Sequence, residues 1–211
     1  MKVIHGVVAA MVLVLASSGD ARAQDWWWGI TYQMSASSSL PGGSGSDVAF
    51  VQDFSFRGVG IEARYLPRGG AKYSVGFSGS WNALNETSEF GTDRNTIMLP
   101  NAEITGTQLR YFNAAPVLAN AAYYFGEPGG IRPYVSLNAG VYYIERQVDI
   151  GVTSVAAEDW HFGWAPEAGL VLPFGNPSLA LLAEVRYNWA FSAAGTGDQR
   201  YWSLNLGLAY R

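Results

Sequence analysis

The feature that most constrains the fold is a regular alternation of large apolar residues with small or polar ones. It is clearest at the end of the chain, where every second residue from Trp202 to Tyr210 is apolar and the residues between them are mainly small or polar. A period of two predicts a strand with one wholly apolar face, here about ten residues long. Seven earlier segments repeat the pattern, beginning near residues 28, 59, 73, 116, 135, 160 and 179. We therefore expect an all-β chain of eight strands.

The connections between these predicted strands alternate between short and long. The short ones contain Gly and Pro and predict tight turns, whereas the long ones predict extended loops. Short turns at one end and long loops at the other are typical of an even-numbered, antiparallel up-and-down barrel. The short connections cover residues 67–70, 127–130 and 173–177, and the long ones cover 36–47, 84–106, 147–159 and 192–200.

Alternation alone does not decide whether the apolar faces point to lipid or to a dry interior, because a soluble barrel has the same period. The composition of the other face separates the two cases. Only 14% of the residues are charged, Lys72 is the one lysine after residue 23, and the second face carries mainly Gly, Ser, Ala and Asn. A strand surface in water normally carries many charged residues, so this face fits the narrow lumen of a transmembrane barrel better. Eight strands enclose only enough space for side chains.

The aromatic residues, which make up 14% of the chain, fall near the predicted ends of the strands. Trp and Tyr concentrate at the two interfaces of a bilayer, whereas a soluble β-sandwich would keep them in its core. The aromatic residues form two groups, one at each end of the strands, which predicts two membrane interfaces and an eight-stranded transmembrane β-barrel. The turn-side group contains Trp28, Tyr65, Tyr73, Tyr123, Phe125, Phe174 and Tyr210, and the loop-side group contains Trp81, Tyr143, Trp160, Trp164, Trp189, Phe191 and Trp202.

The first residues indicate a secretory signal peptide. An early lysine precedes a short apolar core at residues 7–16, and Ala21 and Ala23 form a small-residue cleavage site. We expect residues 1–23 to be removed, so that residues 24–211 form the barrel domain. The mature part has no run of 18 or more apolar residues, so no transmembrane helix is expected after export.

Four stretches of the chain carry a family resemblance. They are PVLANAAYYF at 116–125, RPYV and NAGVYY within 132–143, APEAG at 165–169 and EVRYN at 184–188. These look like the eight-stranded outer-membrane protein β-barrel domain, the group of OmpA-, OmpX- and OmpW-like and porin-family proteins. The resemblance covers essentially all of the mature part. It implies a monomeric integral protein of a Gram-negative outer membrane, surrounded by lipids and lipopolysaccharide, with both termini in the periplasm.

The end of the chain resembles the family's C-terminal assembly signal, a Gly followed three and five places later by aromatics. Gly207 and Tyr210 fit the first two positions, but the chain stops at Arg211, one residue short of the second aromatic. The resemblance implies that the barrel-assembly machinery recognises this segment during biogenesis.

Five charged residues fall on inward positions of the predicted strands. Isolated charges in a low-dielectric lumen are costly, so we expect them to form an ion-pair cluster. Neighbouring strands favour pairing of Arg186 with Glu167, and Arg64 can pair with Glu184 or Glu62. The cluster is either a static plug that fixes the register of the barrel or a switchable gate in a narrow conductance. Its members are Glu62, Arg64, Glu167, Glu184 and Arg186.

A catalytic or metal site finds little support in the sequence. His161 is the only histidine after residue 23, and Gly163 stands where barrels resembling lipid A deacylases carry a serine nucleophile. Glu158 and Asp159 are close to His161 in sequence, but without a second histidine or any cysteine they do not make a metal site. We therefore expect no catalytic residue, no metal and no cofactor. A formal charge of -4 also argues against nucleic-acid binding.

The expected function is that of an integral outer-membrane barrel with a side-chain-filled lumen, acting structurally or through its external loops. The longest loop, 84–106, is the expected site of contact outside the cell, whereas the Gly- and Ser-rich loop 36–47 carries no phosphate-binding motif. A narrow porin-like channel for ions or small solutes is the alternative. A lipid-modifying outer-membrane enzyme is a second and weaker alternative.

Overall fold

The computed structural model describes residues 26–37, 54–67, 71–85, 94–99, 102–150, 153–174, 176–193 and 197–211. The expected signal peptide, residues 1–23 with Ala21 and Ala23, lies outside these residues. In the described part of the chain, no helix is long and apolar enough to cross a membrane. Nine strands lie within the described ranges: β1 (Trp26–Ser37), β2 (Phe54–Tyr65), β3 (Tyr73–Asn85), β4 (Arg94–Leu99), β5 (Ala102–Tyr124), β6 (Arg132–Ile150), β7 (Thr153–Phe174), β8 (Asn176–Ala190) and β9 (Gln199–Tyr210).

Eight of these strands close into an antiparallel up-and-down barrel. Hydrogen-bonded neighbours run in the order β3, β2, β1, β9, β8, β7, β6, β5, and a pairing of β3 with β5 closes the ring. The remaining strand, β4, lies outside the ring and pairs with the first residues of β5, from Arg94 opposite Thr107 to Leu99 opposite Ala102. The all-β, eight-stranded barrel expected from the sequence is therefore confirmed.

The short connections all lie at one end of the barrel, where β2 meets β3, β5 meets β6 and β7 meets β8. The β5–β6 turn contains Gly126 and Gly129, whose φ angles of 85° and 86° lie in the left-handed region that favours glycine. The β7–β8 connection is shorter than the expected turn 173–177, because β7 continues to Phe174 and β8 begins at Asn176.

Two of the expected loops are partly strand. β4 and the first residues of β5 occupy much of the expected loop 84–106. In the expected loop 147–159, β6 continues to Ile150 and β7 begins at Thr153. The loop prediction was wrong there because it depended on alternation. In the β6–β7 hairpin the consecutive residues 154–158 are all exposed, so the sequence need not alternate there. Cross-strand pairing still satisfies the backbone N–H and C=O groups in both hairpins.

The outward face of the barrel is apolar and exposed. Ile30 is 66% exposed and Leu208 is 48% exposed. A water-soluble monomer rarely exposes a contiguous apolar surface, and aromatic belts at two heights match the two interfaces of a bilayer. Ring contacts in the turn-side belt include Trp26–Trp28 at 6.0 Å and Tyr123–Phe125 at 5.1 Å, and those in the loop-side belt include Tyr143–Trp160 at 5.3 Å, Trp164–Trp189 at 6.1 Å and Tyr187–Trp202 at 4.7 Å.

Side chains fill much of the inward face, where two buried apolar clusters form. Leu182 is an apolar residue on the inward face of β8, and it packs in the cluster nearer the turns. The inward aromatic and aliphatic residues therefore narrow the lumen near both ends. The turn-side layer contains Trp27, Leu66, Ala122, Tyr124, Tyr134, Val171, Leu182 and Ala209, and the loop-side layer contains Leu84, Phe112, Ala114, Leu118, Tyr142, Ile144, Ala165, Ala190 and Tyr201.

Candidate functional site in the barrel interior

The five charged residues expected in the lumen all point inward, from three strands. β2 supplies Glu62 and Arg64, β7 supplies Glu167, and β8 supplies Glu184 and Arg186. Residues two apart on a strand share a face, which is why each pair on β2 and β8 points the same way. Each of the five residues is at most 5% exposed. The structure brings all five into one connected set of ion pairs, called the charged cluster below.

Arg64 lies at the centre of the charged cluster and is fully buried. Its Nη2 lies 2.7 Å from Glu62 Oε2, 2.9 Å from Glu167 Oε1 and 3.3 Å from Glu184 Oε1. Its Nε also donates to Glu62 Oε2, at 3.1 Å, and its Cζ lies 5.1 Å from the ring centroid of Trp27. One guanidinium thus contacts carboxylates from three strands, two of which are not neighbours of its own strand.

Glu167 bridges the two cations of the cluster. Its Oε2 accepts from Arg186 Nε at 2.6 Å and lies 2.6 Å from Arg186 Nη2, while its Oε1 accepts from Arg64. Glu167 and Arg186 are also register partners on β7 and β8. The removal of this single carboxylate would therefore take an acceptor from both buried guanidiniums at once.

Three uncharged side chains complete the cluster, and sequence reasoning did not assign them a role. The Tyr134 hydroxyl lies 2.5 Å from Glu184 Oε1 and 3.1 Å from Arg64 Nη2, and the Tyr124 hydroxyl accepts from Arg64 Nη1 at 3.3 Å. Asn205 Nδ2 donates to Glu184 Oε2 at 3.2 Å. The alternation of β5, β6 and β9 identifies these three residues as inward-facing. The sequence does not show, however, which height of the lumen each side chain reaches.

The charged cluster contains one more carboxylate than it has guanidinium groups, and its carboxylate oxygens differ in the number of hydrogen bonds they accept. Glu62 Oε2 receives two hydrogen bonds from Arg64, whereas Glu62 Oε1 has no hydrogen-bond partner among the described residues. Gly29 leaves the space that this side chain occupies, since a Cβ at that position would lie 2.8 Å from Glu62 Cγ. A larger residue at position 29 would therefore require the Glu62 side chain to move.

A second set of buried polar residues lies on β3, β5 and β6, and is called the polar strip below. Its members are Ser78, Asn120, Ser136 and Asn138, each at most 7% exposed. Both amide atoms of Asn120, both hydroxyl oxygens and Asn138 Oδ1 have no partner among the described residues. Asn138 Nδ2 is different, because it donates to the Ala165 carbonyl oxygen at 2.9 Å.

His161 is buried near the loop-side end of the lumen, with 1% of its surface exposed. Its Nδ1 lies 2.7 Å from the carbonyl oxygen of Phe191, and because a carbonyl only accepts, Nδ1 carries the proton and donates. Glu158 instead accepts from the Tyr143 hydroxyl at 2.6 Å. Among the described residues, no group of three or more His, Cys, Asp or Glu side chains is placed to hold a metal ion.

Asp198 organises the connection between β8 and β9. Its Oδ2 accepts from Trp189 Nε1 and from Arg200 Nη2, both at 2.9 Å, and its Oδ1 accepts from the Ser192 N–H, also at 2.9 Å. Partial burial by itself would raise the pKa of Asp198, but these hydrogen bonds and the charge of Arg200 outweigh it. The pKa of Asp198 therefore lies below its ordinary value.

The two residues of the expected assembly signal lie on β9, where it pairs with β1. A Cβ at Gly207 would lie 2.1 Å from the Ile30 carbonyl oxygen, so the close pairing of these strands gives this glycine a packing role of its own. Tyr210 points outward at the turn-side rim, is 63% exposed and is the register partner of Trp28. Recognition by the barrel-assembly machinery stays a prediction.

Comparison with known proteins establishes the fold. No protein-family model and no curated protein sequence matches the chain. The crystal structure of Neisserial surface protein A (NspA) is similar, with 16% identity, coverage of 89% of this chain and 97% of that chain, and a TM-score of 0.50. The crystal structure of the outer membrane protein OprG from Pseudomonas aeruginosa is also similar, with 16% identity, coverage of 88% and 95%, and a TM-score of 0.53. The chain therefore has the fold of eight-stranded outer-membrane barrels, as the resemblance implied.

Proposed function

We propose that this protein is an integral outer-membrane barrel that acts structurally and through its loop-side hairpins, while side chains fill its lumen. The observation that carries the proposal is the closed ring with an exposed apolar outer face between two aromatic belts. Such a surface is stable in hydrocarbon and unfavourable in water. The likeness to an outer-membrane protein of known structure supports the same location. The partners of the outer face are then membrane lipids and lipopolysaccharide.

The proposed topology has the short turns in the periplasm and the hairpins outside the cell. β1 begins and β9 ends at the same end as the short turns, since Trp28 and Tyr210 are register partners there. This arrangement supports periplasmic termini. The β4–β5 and β6–β7 hairpins lie at the other end and extend beyond the strands that neighbour them. They are the surfaces we propose for external contacts.

Single cysteines test this topology, because the chain contains no cysteine of its own. Ser154 lies on the exposed extension of β7, and Gly130 lies on the exposed β5–β6 turn. In intact cells, a membrane-impermeant maleimide is expected to label Ser154→Cys and to leave Gly130→Cys unlabelled. Both variants should react after the outer membrane is permeabilised. Labelling of Gly130→Cys alone in intact cells would reverse the topology, and recovery of unlabelled protein in the soluble fraction would exclude the membrane location.

A narrow conductance is the second candidate function, and one observation favours it. Arg64 Nη2 lies between 2.7 and 3.3 Å from three carboxylates, so it can change its dominant partner without leaving the charged cluster. The filled lumen predicts that purified protein in planar bilayers shows no stepwise current. Reproducible steps that disappear in Arg186→Ala would support the channel instead.

We propose no enzymatic role. The position two residues after His161, where a serine nucleophile would be needed, has no room for a side chain. A Cβ at Gly163 would lie 2.3 Å from the Trp189 carbonyl oxygen. Mass spectra of lipid A are therefore expected to be the same in cells with and without the gene. A reproducible loss or gain of an acyl chain would overturn this part of the proposal.

A further inference from the structure

Arg132, the first residue of β6, is a buried cation at the turn-side end of the lumen, and only 8% of its surface is exposed. Its Nη2 donates to the Ala71 carbonyl oxygen at 2.9 Å, and its Cζ lies 4.7 Å from the centroid of the Tyr124 ring. Its Nε has no hydrogen-bond partner among the described residues. A guanidinium carries five N–H donors, so this side chain retains capacity to bind an acceptor.

Arg132 lines a cavity of about 90 Å³ that opens at the same end of the barrel. The cavity has an apolar wall that includes Trp27, Leu66 and Val171, and Arg211 also lines it. None of the described residues that line it is Asp or Glu, and Glu127 in the adjoining turn is not among them. A cavity of this size with polar groups has room for several water molecules or for one small anion.

The other two arginines of the lumen show how this barrel normally compensates a buried guanidinium. Arg64 and Arg186 both pair with carboxylates at distances below 3.0 Å. Arg132 takes part in none of the ion pairs found among the described residues. Arg132 has a backbone carbonyl as an acceptor but no carboxylate at ion-pair distance among these residues, so an anion that fills the site would stabilise the cation.

We propose that this cavity binds a small organic carboxylate that enters from the turn-side end of the barrel. The planar guanidinium of Arg132 offers N–H groups with the geometry that suits the two oxygens of a carboxylate. The wall of Trp27, Leu66 and Val171 suits a short hydrocarbon chain, which inorganic phosphate lacks. In the proposed topology the ligand comes from the periplasm.

Butyrate is the probe for this site, with inorganic phosphate as the comparison. The full barrel, purified in detergent without phospholipid, is labelled with ¹⁵N in its Arg and Trp side chains. Butyrate is expected to shift the Arg132 Nε–H and Trp27 indole N–H resonances in a saturable way, with phosphate binding more weakly. Arg132→Gln should weaken butyrate binding about tenfold or more, because it removes charge-assisted hydrogen bonds to the carboxylate.

Two further variants make the test independent of any folding defect in Arg132→Gln. Ala180→Leu fills the cavity from β8 and keeps Arg132, so a folded protein with no butyrate response is expected. Arg57→Gln changes an exposed arginine near the opposite end of the barrel and should leave binding unchanged. Heat-dependent gel mobility reports folding in each case. The absence of a saturable shift in the parent protein, an unchanged affinity in folded Ala180→Leu, or tighter binding of phosphate than of butyrate would each overturn the proposal.

Discussion

The charged cluster and the polar strip line different walls of one lumen, and they differ in how completely their hydrogen bonds are formed. Both consist of inward residues that are at most 7% exposed. In the charged cluster the carboxylates and guanidiniums bind one another, whereas five side-chain atoms of the polar strip have no partner among the described residues. Burial of a polar group in this barrel is therefore a poor guide to its energetic weight. The partners decide whether its loss exposes an uncompensated charge.

The largest expected effect follows from Glu167→Ala. The change removes an acceptor from Arg64 and from Arg186 and leaves two buried cations to share the remaining carboxylates. Loss of one partner from a buried ion pair typically costs about 3–5 kcal/mol. Urea unfolding in phospholipid vesicles, followed by tryptophan fluorescence, measures the change in free energy. Glu127→Ala is the matched control, because this glutamate is exposed in a turn, and it should change stability little. Equal losses of unfolding free energy in the two variants would show that the buried ion pairs of the cluster contribute no more to stability than an exposed glutamate does.

The second expected effect is a coupling between the two sides of the β7–β8 ion pair. Glu167→Leu combined with Arg186→Leu removes both charges, so the penalty of an isolated buried charge disappears. The double variant should therefore lose less stability than the sum of the two single variants, by roughly 0.5–3 kcal/mol. The same urea titration provides all four free energies of the cycle. Additive losses would show that Glu167 and Arg186 do not act as a pair despite their 2.6 Å contact.

A third prediction compares two asparagines of the polar strip that face each other as register partners on β5 and β6. Asn138→Leu removes the hydrogen bond to the Ala165 carbonyl, which should cost about 0.5–1.5 kcal/mol. Asn120→Leu removes an amide without a partner among the described residues and should be neutral or stabilising. Unfolding midpoints of the two variants give the comparison. If Asn120→Leu lowers stability as much as Asn138→Leu, the polar groups of the strip have hydrogen-bond partners as the charged cluster does.

The sequence was informative wherever one physical rule applied to a whole strand. Alternation assigned Glu62, Arg64, Glu167, Glu184 and Arg186 to the inward face, and all five point inward. Pairing of Arg186 with Glu167 could be expected, because these residues lie on neighbouring strands. The contact of Arg64 with Glu167 could not, because it joins strands that are far apart in the ring and depends on their relative stagger.

The remaining features of the site and the fold could not be predicted, because no single rule links them to the sequence. Tyr134 and Asn205 are ordinary inward residues in the sequence. The sequence shows neither the β8–β9 register that sets Asn205 opposite Glu184 nor the approach of Tyr134 from β6, which is not a neighbour of β8. The β4–β5 hairpin was mistaken for a loop, because its residues do not alternate regularly between apolar and polar. Arg132 lies at the edge of a turn, and its cavity is formed by residues from several strands whose distances the sequence does not contain.

The smallest expected effect extends the comparison to an ion pair in solvent, that of Asp198 with Arg200. The pKa of Asp198 is lowered in the folded protein, so its contribution to stability is present above the ordinary value of about 3.9 and is lost as pH falls through the lower folded value. Exposed pairs contribute little, and the Asp198 side chain is 35% exposed, so Asp198→Asn should shift the unfolding midpoint far less than Glu167→Ala. The indole N–H resonance of Trp189, which donates to Asp198, should move below pH 4 in the parent protein and stay constant in Asp198→Asn. A resonance that titrates in both proteins would show that another group controls this loop, whereas one that titrates in neither would mean that the carboxylate does not hold Trp189.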